Sequence, residues 1–413
     1  MQVEIITIGD EVLTGHTLNT NAAFIAEKLT DIGLEVQFVT TTGDALAQME
    51  EAIRMALKRA RIVITTGGLG PTEDDQTKKA IVKVFKRNLI FHENILQDMK
   101  DRFARRGIEM PAINQNQALL PQGAVFFPNK GGSAVGICIS EEGRTFIALP
   151  GVPREMMQIM TDEVIPYLQG LEVGHPHKTI KLRTTGVVES RLAEMIDQDL
   201  NLEPGVKLAF LPAYSGVDLR IMAAADDEQR ASEKTLTLER YLESKVGKYI
   251  YGKNEDTLES VVGQLLVDND KTLAVAESCT GGQLGMLITA VPGASRYFLG
   301  GLVSYSNDSK TQHLGVDPDL LEKHGAVSEE CAVAMAHGCR ERFAADYALS
   351  ITGIAGPDGG TEDKPVGVAF IGISSIHASY ARRFNFGVSR EANRARATYA
   401  ALELLRRDIL DIK

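Results

Sequence analysis

The sequence predicts an α/β protein built as two α/β three-layer domains joined by a small α+β domain, and three observations carry that prediction. A chain of 413 residues exceeds what one hydrophobic core usually organises. Short apolar runs of strand length alternate with helical stretches over residues 1–165, and the alternation resumes from about residue 257, as parallel βαβ units require. A segment rich in Gly, His and Pro at Leu168–Thr179 and a polar one at Gly252–Asp256 mark breaks between these halves. The domains are therefore placed at 1–170, 178–252 and 256–413.

Val3–Ile8 reads as a buried strand, and Asn21 to about Asp31 as a helix closed by Gly33, the residue type favoured just past a helix end. Leu34–Thr40 is a second strand, Ala45–Ala60 a second helix and Ile62–Thr66 a third strand. This order implies a parallel, doubly wound sheet whose ligand crevice lies at the carboxyl ends of the strands. The middle stretch reads as strand Ile180–Thr184, helix Val188–Leu200, strands near Lys207–Leu211 and Asp218–Ala223, and helix Glu228–Val246. It holds no residue cluster that suggests chemistry, which leaves it the part of a spacer or dimerisation domain in a homodimer. Helix Leu258–Asp268 and strand Lys271–Ala276 open the last domain.

Composition narrows the function. Hydrophobic residues make up 44% and charged residues 24% of the chain, which describes a globular protein. A net charge of −11 without a long basic stretch argues against nucleic-acid binding, which rests on cations meeting phosphates. No apolar run approaches the roughly 18 residues of a membrane span. The chain enters its first strand at once, leaving no room for a signal peptide. Cys138, Cys279, Cys331 and Cys339 lack disulfide or zinc-ligand spacing, so a cytoplasmic location is expected.

Ala276-Glu277-Ser278-Cys279-Thr280-Gly281-Gly282 sits where a strand hands over to a helix. There a small nucleophile, Ser278, meets unpaired N–H groups able to stabilise an oxyanion, and paired glycines let the backbone approach a ligand. Ser278 or Thr280 as a plain helix cap fits the same residues. Lys310, in Tyr305-Ser306-Asn307-Asp308-Ser309-Lys310, is a general base if burial lowers its pKa, and a solvated surface charge otherwise. Thr352–Gly360, after the apolar strand Tyr347–Ile351, is a ligand cradle or a turn. Arg390 and Arg394 share one face of the last helix and can grip a phosphate. Glu277, Cys279 and Lys310 also supply a Cys-Glu-Lys amidase set, so Cys279 stands as a rival nucleophile.

In the N-terminal half, the loop Gly67–Asp75 joins glycines to carboxylates, which are hard ligands for Mg²⁺. Asp74 and Asp75 read as opening the next helix, where capping explains them equally well. Asp10 and Glu11 after strand one, Asp44 after strand two and Asp75 after strand three converge at one sheet edge, as metal-assisted attack on a pyrophosphate needs.

Ala-Glu-Ser-Cys-Thr-Gly-Gly, Tyr-Ser-Asn-x-x-Lys, His324-Gly325-Ala326-Val327-Ser328, Gly-Ile-Ala-Gly-Pro-Asp-Gly-Gly and Lys364-Pro365-Val366-Gly367 occur in that order. Over 257–413 the chain thus resembles the C-terminal domain of the CinA family, the nicotinamide mononucleotide deamidases. The resemblance implies Ser278 as nucleophile with Lys310 and Tyr305 as its activating partners, and hydrolysis to the nicotinate form with release of ammonia and no cofactor. It implies substrate contacts at Thr280, Gly281, Thr352 and Gly353, with the 5′-phosphate held by Arg394 and Arg390.

Gly9-Asp10-Glu11-Val12-Leu13-x-Gly15, Thr20-Asn21, Gly-Gly-Leu-Gly-Pro-Thr-x-Asp-Asp and Leu149-Pro150-Gly151-Val152-Pro153-x-Glu155-Met156 resemble the molybdopterin-binding-like domain at the front of CinA proteins. That implies an ADP-ribose pyrophosphatase yielding AMP and ribose 5-phosphate, with Asp75 catalytic. It implies a divalent metal, magnesium or similar, on Asp10, Glu11, Asp44 and Asp74, with potassium a further candidate. Substrate contacts would come from Asn21, Gly67, Gly68, Gly70, Thr72 and the Lys130 of Asn129-Lys130-Gly131-Gly132-Ser133. The implied partners are small nucleotides, with no nucleic acid and no membrane. Two alternatives stay open: a deamidase with a binding-only front domain, and a competence or recombination accessory protein.

Overall fold

Strand β1 (Gln2–Ile8) alternates its side chains between two cores, with Val3 and Ile5 on one sheet face and Ile6 and Ile8 on the other. That is the period-two pattern of a strand covered on both sides. The computed structural model describes residues 2–72, 74–171, 176–196, 200–387 and 389–412. It divides into two compact units, Met1–Lys178 with Ala224–Ala231 and Thr179–Ala223 with Ser232–Lys413.

After β1 the first unit continues through α1 (Asp10–Leu13), α2 (Thr20–Asp31), β2 (Glu35–Thr42), α3 (Leu46–Arg59) and β3 (Ile62–Thr66). Then come α4 (Thr77–Val84), β4 (Leu89–Phe91), α5 (Glu93–Arg105), β5 (Leu119–Pro121), β6 (Val125–Phe127) and β7 (Gly136–Glu141). β8 (Arg144–Leu149), α6 (Pro153–Ile159) and α7 (Ile165–Gly170) follow. α2 starts ahead of the expected Asn21 because Asn19 accepts the Ala22 N–H as N-cap. The main sheet has the order β2-β1-β3-β8-β7-β6. β1, β2, β3 and β8 are parallel, while β7 and β6 run antiparallel. The three strands read from the sequence are parallel as expected, and β7 and β6 add an antiparallel edge to them. Glu142 and Gly143, with φ of 50° and 71°, form a tight turn between β7 and β8, and so short a link joins only antiparallel neighbours.

The middle stretch holds β9 (His177–Thr184), α8 (Glu189–Met195), β10 (Val206–Pro212), β11 (Val217–Ala224), α9 (Glu228–Val246) and β12 (Ile250–Lys253). Its sheet runs β10-β11-β9-β12 and packs Leu182, Leu219, Ile221 and Leu242 into a small core. The helix expected over Val188–Leu200 appears as α8; residues 197–199 of it lie outside the described residues.

The last part begins with α10 (Leu258–Asp268), started by a capping box between Thr257 and Ser260. There follow β13 (Leu273–Glu277), α11 (Gln283–Ala290), β14 (Phe298–Val303), α12 (Asn307–Leu314), α13 (Pro318–His324) and α14 (Glu329–Phe343). β15 (Tyr347–Gly353), β16 (Val368–Ser374), β17 (Ser379–Asn385) and α15 (Arg390–Ile409) complete it. The sheet order is β14-β13-β15-β16-β17, with β14, β13 and β15 parallel and the other two antiparallel. Leu266, Leu284 and Leu402 pack on one face, and Cys331, Met335 and Cys339 of α14 on the other. Near the end of α15 the buried Arg406 forks onto Glu403, at 2.7 and 3.1 Å, and donates to the Lys248 carbonyl at 2.9 Å. Among the described residues no helix is long and apolar enough to cross a membrane.

Candidate active site

Ser278 is the first residue past β13, fixed by its N–H donating to the Ile351 carbonyl at 2.9 Å. Ser306 caps α12 by accepting the Ser309 N–H, and the inward face of that helix carries Lys310, which is 1% exposed. Its Nζ lies 3.0 Å from Ser278 Oγ, 2.8 Å from the Ser304 carbonyl and 3.2 Å from the Tyr305 carbonyl. Burial pulls the Lys310 pKa below the ordinary lysine value. In the neutral amine, two N–H groups donate to the carbonyls and the lone pair faces the serine hydroxyl, the arrangement of a general base. The surface-charge alternative for Lys310 is thereby removed.

The helix-cap alternative for Ser278 and Thr280 is removed as well. α11 begins at Gln283, and its N-cap is Gly282, in the left-handed region at φ 96°. The buried Glu277 carboxylate accepts the N–H groups of Gly282, Leu284 and Gly285 at 3.0, 3.1 and 2.8 Å. Glu277 thus serves the start of α11 and is no free acid for a Cys-Glu-Lys set. Cys279 packs against the apolar core, and burial pushes its thiol up to about 11, leaving little thiolate at neutral pH.

Other expected residues are placed less directly. Tyr305 brings its carbonyl to Lys310, while its side chain is turned to solvent and the residue is 64% exposed. The Thr352 hydroxyl donates to the Ala326 carbonyl at 2.6 Å. A Cβ at Gly353 would lie 2.6 Å from the Val368 carbonyl, so sheet packing explains that glycine. Ser389 caps α15, whose first turns aim Arg390 at the Gly356 carbonyl (2.8 Å) and Arg394 at the Thr280 carbonyl (2.6 Å). Gly281 lies below Arg394, with a φ of 60° that favours glycine. Among the described residues neither guanidinium has a carboxylate at ion-pair distance, which leaves both charges for an anion. Thr280 Oγ1, Ser304 Oγ and Asn393 Oδ1 are buried without partners. Sequence reasoning passed over Ser304 and Asn393; the adjacency of Asn393 to Arg394 was the available signal.

In the first unit the glycine-rich loop is shaped by close approach. A Cβ would lie 2.1 Å from the Ile8 carbonyl at Gly67, 2.3 Å from Thr77 Oγ1 at Gly68 and 2.4 Å from Asp75 Oδ2 at Gly70. Asp75 accepts the Gly70 N–H (2.8 Å), the Thr72 N–H (3.0 Å) and the Thr72 hydroxyl (2.6 Å). The expectation that Asp74 and Asp75 open a helix is corrected, because Asp75 braces this loop and α4 begins at Thr77. Glu73 lies outside the described residues. Asn21 donates to Thr66 Oγ1 (3.0 Å) and the Gly151 carbonyl (2.8 Å), tying β3 to the segment after β8. Lys130, expected at a phosphate, forms a surface ion pair with Asp162, 3.0 Å away.

Asp10 and Asp44 are joined reciprocally, each carboxylate accepting the other's N–H, at 3.0 and 3.1 Å. Burial, followed by the charges of Asp10, Glu11 and Asp75, raises the Asp44 pKa against the Asp10 N–H, which lowers it. Asp74 is exposed and is not among the charges acting on Asp44. Among the described residues no three His, Cys, Asp or Glu side chains form a metal-holding group. Such crowded carboxylates fit a cation held by one or two of them and completed by substrate phosphates, the usual habit of Mg²⁺.

Three family models match the chain: a probable molybdopterin binding domain over residues 4–170, the damage-inducible protein CinA KH domain over 179–252, and the CinA C-terminal domain over 255–409. A CinA-like protein of Gemmatimonas aurantiaca is 41% identical over 411 residues, covering 98% of this chain and 96% of that one. A CinA-like protein of Chloroherpeton thalassium is 41% identical over 415 residues, covering 98% and 99%. A solved CinA superfamily protein from Klebsiella pneumoniae is 31% identical with a TM-score of 0.37, covering 37% of this chain and 96% of that one.

Proposed function

We propose a function from one premise: this chain belongs to the CinA family. Its C-terminal domain, 256–413, hydrolyses the carboxamide of nicotinamide mononucleotide to the nicotinate form and ammonia. The observation that carries this reading is the buried Lys310 amine, 3.0 Å from Ser278 Oγ. Lys310 accepts the serine proton as Oγ bonds to the carboxamide carbon, then gives it to the leaving nitrogen as the C–N bond breaks. Water, deprotonated by the same amine, cleaves the acyl-enzyme and the proton returns to Ser278. Arg394 and Arg390 hold the phosphate, and Thr280 and Thr352 border the substrate.

The front domain, 1–170, hydrolyses ADP-ribose to AMP and ribose 5-phosphate. Asp10 and Asp44 would hold a divalent cation, which neutralises pyrophosphate charge and activates water when bound. Asp75 keeps the glycine-rich loop open to phosphate approach. The middle domain, 178–252, joins the two and serves a homodimer. It contains no Gly-x-x-Gly, the loop with which KH modules clamp a nucleic-acid backbone, and this supports small nucleotides as the partners. Four free thiols, three of them buried, suit the reducing cytoplasm.

A second reading, a deamidase with a binding-only front domain, is favoured by the lack of a three-residue metal group among the described residues. Full-length protein assayed for ammonia from nicotinamide mononucleotide, and for AMP from ADP-ribose with divalent metal, decides both points. Ammonia that persists in Ser278→Ala sinks the deamidase mechanism, and no AMP with any metal leaves the second reading.

A further inference from the structure

We infer that Lys78 and Gln117 are positioning residues of the first unit, which lock the Leu69–Gly70 peptide plane of the glycine-rich loop. The two edges of that plane are held by different side chains. Its N–H, on Gly70, donates to Asp75 at 2.8 Å, and its carbonyl, on Leu69, accepts from Gln117 Nε2 at 2.9 Å.

Gln117 is fully buried, and a buried amide needs partners at both ends. Its Oε1 accepts from Lys78 Nζ at 2.9 Å. An ammonium only donates, so Lys78 decides which end of the amide faces it and leaves Nε2 for the Leu69 carbonyl. Lys78, in the first turn of α4, also donates to the Asn116 carbonyl at 3.1 Å and the Gln117 carbonyl at 3.4 Å. Three oxygens thus meet three N–H groups, which offsets part of the cost of burying the charge. Burial pulls the Lys78 pKa down to about 8, and the Asp75 charge works against that.

The loop has need of such a lock. Leu69 stands between Gly68, at φ 64°, and Gly70, and glycine neighbours leave a peptide free to turn over. Turning this one over would set the Leu69 carbonyl oxygen against the Asp75 carboxylate and the Gly70 N–H against the Gln117 amide nitrogen. The two clamps therefore select one orientation. The Leu69 side chain is buried in the same core cluster as Ala118 and Leu120, so side chain and carbonyl both anchor on the segment that carries Gln117. The bearing of the lock on catalysis rests on the pyrophosphatase reading; the lock itself does not.

Hydrogen exchange of the full-length protein, read on peptides spanning Gly67–Thr72 and on β1 and β3, tests the lock without turnover. Lys78→Met and Gln117→Met should each speed exchange in the loop about tenfold or more, with β1 and β3 unchanged. Lys78→Arg should keep the loop near wild type. The double variant should add little to either single change, because both act through one carbonyl. The two Met variants should also lower kcat for AMP formation from ADP-ribose about tenfold, with ammonia release untouched. Unchanged loop exchange, a rise that extends equally to β1 and β3, or additive effects in the double variant overturns the lock. Normal AMP formation by variants whose loop exchanges faster overturns the positioning role. If exchange behaves as expected but wild type forms no AMP, the pyrophosphatase reading falls and the lock stands.

Discussion

The Lys310 amine faces the Ser278 hydroxyl at 3.0 Å, and its two other partners, at Ser304 and Tyr305, are both carbonyl oxygens. A lysine so placed acts as base only when neutral, and burial lowers its pKa from the usual 10.5. The sign is fixed: kcat/KM for ammonia release rises with pH through the lowered Lys310 pKa and levels off before 10.5. Lys310→Met should remove that rise and at least about 10²-fold of the rate. A flat wild-type pH profile across this range would count against the lysine base.

Ser278→Ala should abolish ammonia release, while Cys279→Ala keeps substantial activity, because the Cys279 thiol is pushed up to about 11. The reversed pair of outcomes would transfer the nucleophile's part to the cysteine.

Glu277→Ala leaves three N–H groups at the start of α11 without their acceptor, that of Leu284 buried and those of Gly282 and Gly285 half-buried. An unsatisfied buried donor costs about 1–3 kcal/mol, and half-buried ones can turn to water, so stability should fall by about 1–3 kcal/mol. Denaturant unfolding measures it, and a loss under about 0.5 kcal/mol, the range of a surface substitution, would refute the capping role.

Glu403→Gln breaks a buried fork with Arg406 and should cost about 3–5 kcal/mol. Replacing both residues, as Glu403→Leu with Arg406→Met, should cost less than that single change. If the double variant unfolds earlier than the single in urea, the pair itself is a source of stability.

In the first unit, Asp75→Asn replaces one oxygen of the loop brace by a donor facing donors. AMP formation from ADP-ribose should fall about 10²-fold, the usual result of slight misplacement, with ammonia release untouched. The raised Asp44 pKa adds a pH effect: activity should decline as pH drops through it, since the protonated acid no longer binds a cation. AMP assays across pH and metal concentration check both.

Much of the fold was legible because strands such as Ile62–Thr66 and helices such as Leu258–Asp268 follow from apolar runs bounded by caps and glycines. Ser278 and Lys310 were legible as types at a strand end and in a capped helix; their meeting depended on β14 and α12 folding back on β13. Less legible were side chains that act across the chain. Glu277 looked like an acid beside a nucleophile, yet it binds backbone beyond Gly281. Lys130 looked like the cation of its turn, but Arg102 and Arg106 reach that turn from α5, a different element. The antiparallel β7 was signalled by Glu142-Gly143 between two apolar runs, a turn signal the parallel reading passed over.

The clasp of Glu277 on α11 also bears on how charge moves during catalysis. The N–H groups that open that helix are already taken by the side chain next in sequence to Ser278, so an oxyanion must be stabilised by other donors. The group that faces the Ser278 hydroxyl is the Lys310 amine. On the proposed mechanism, Lys310 would be a transient reservoir for one proton between serine, leaving ammonia and water.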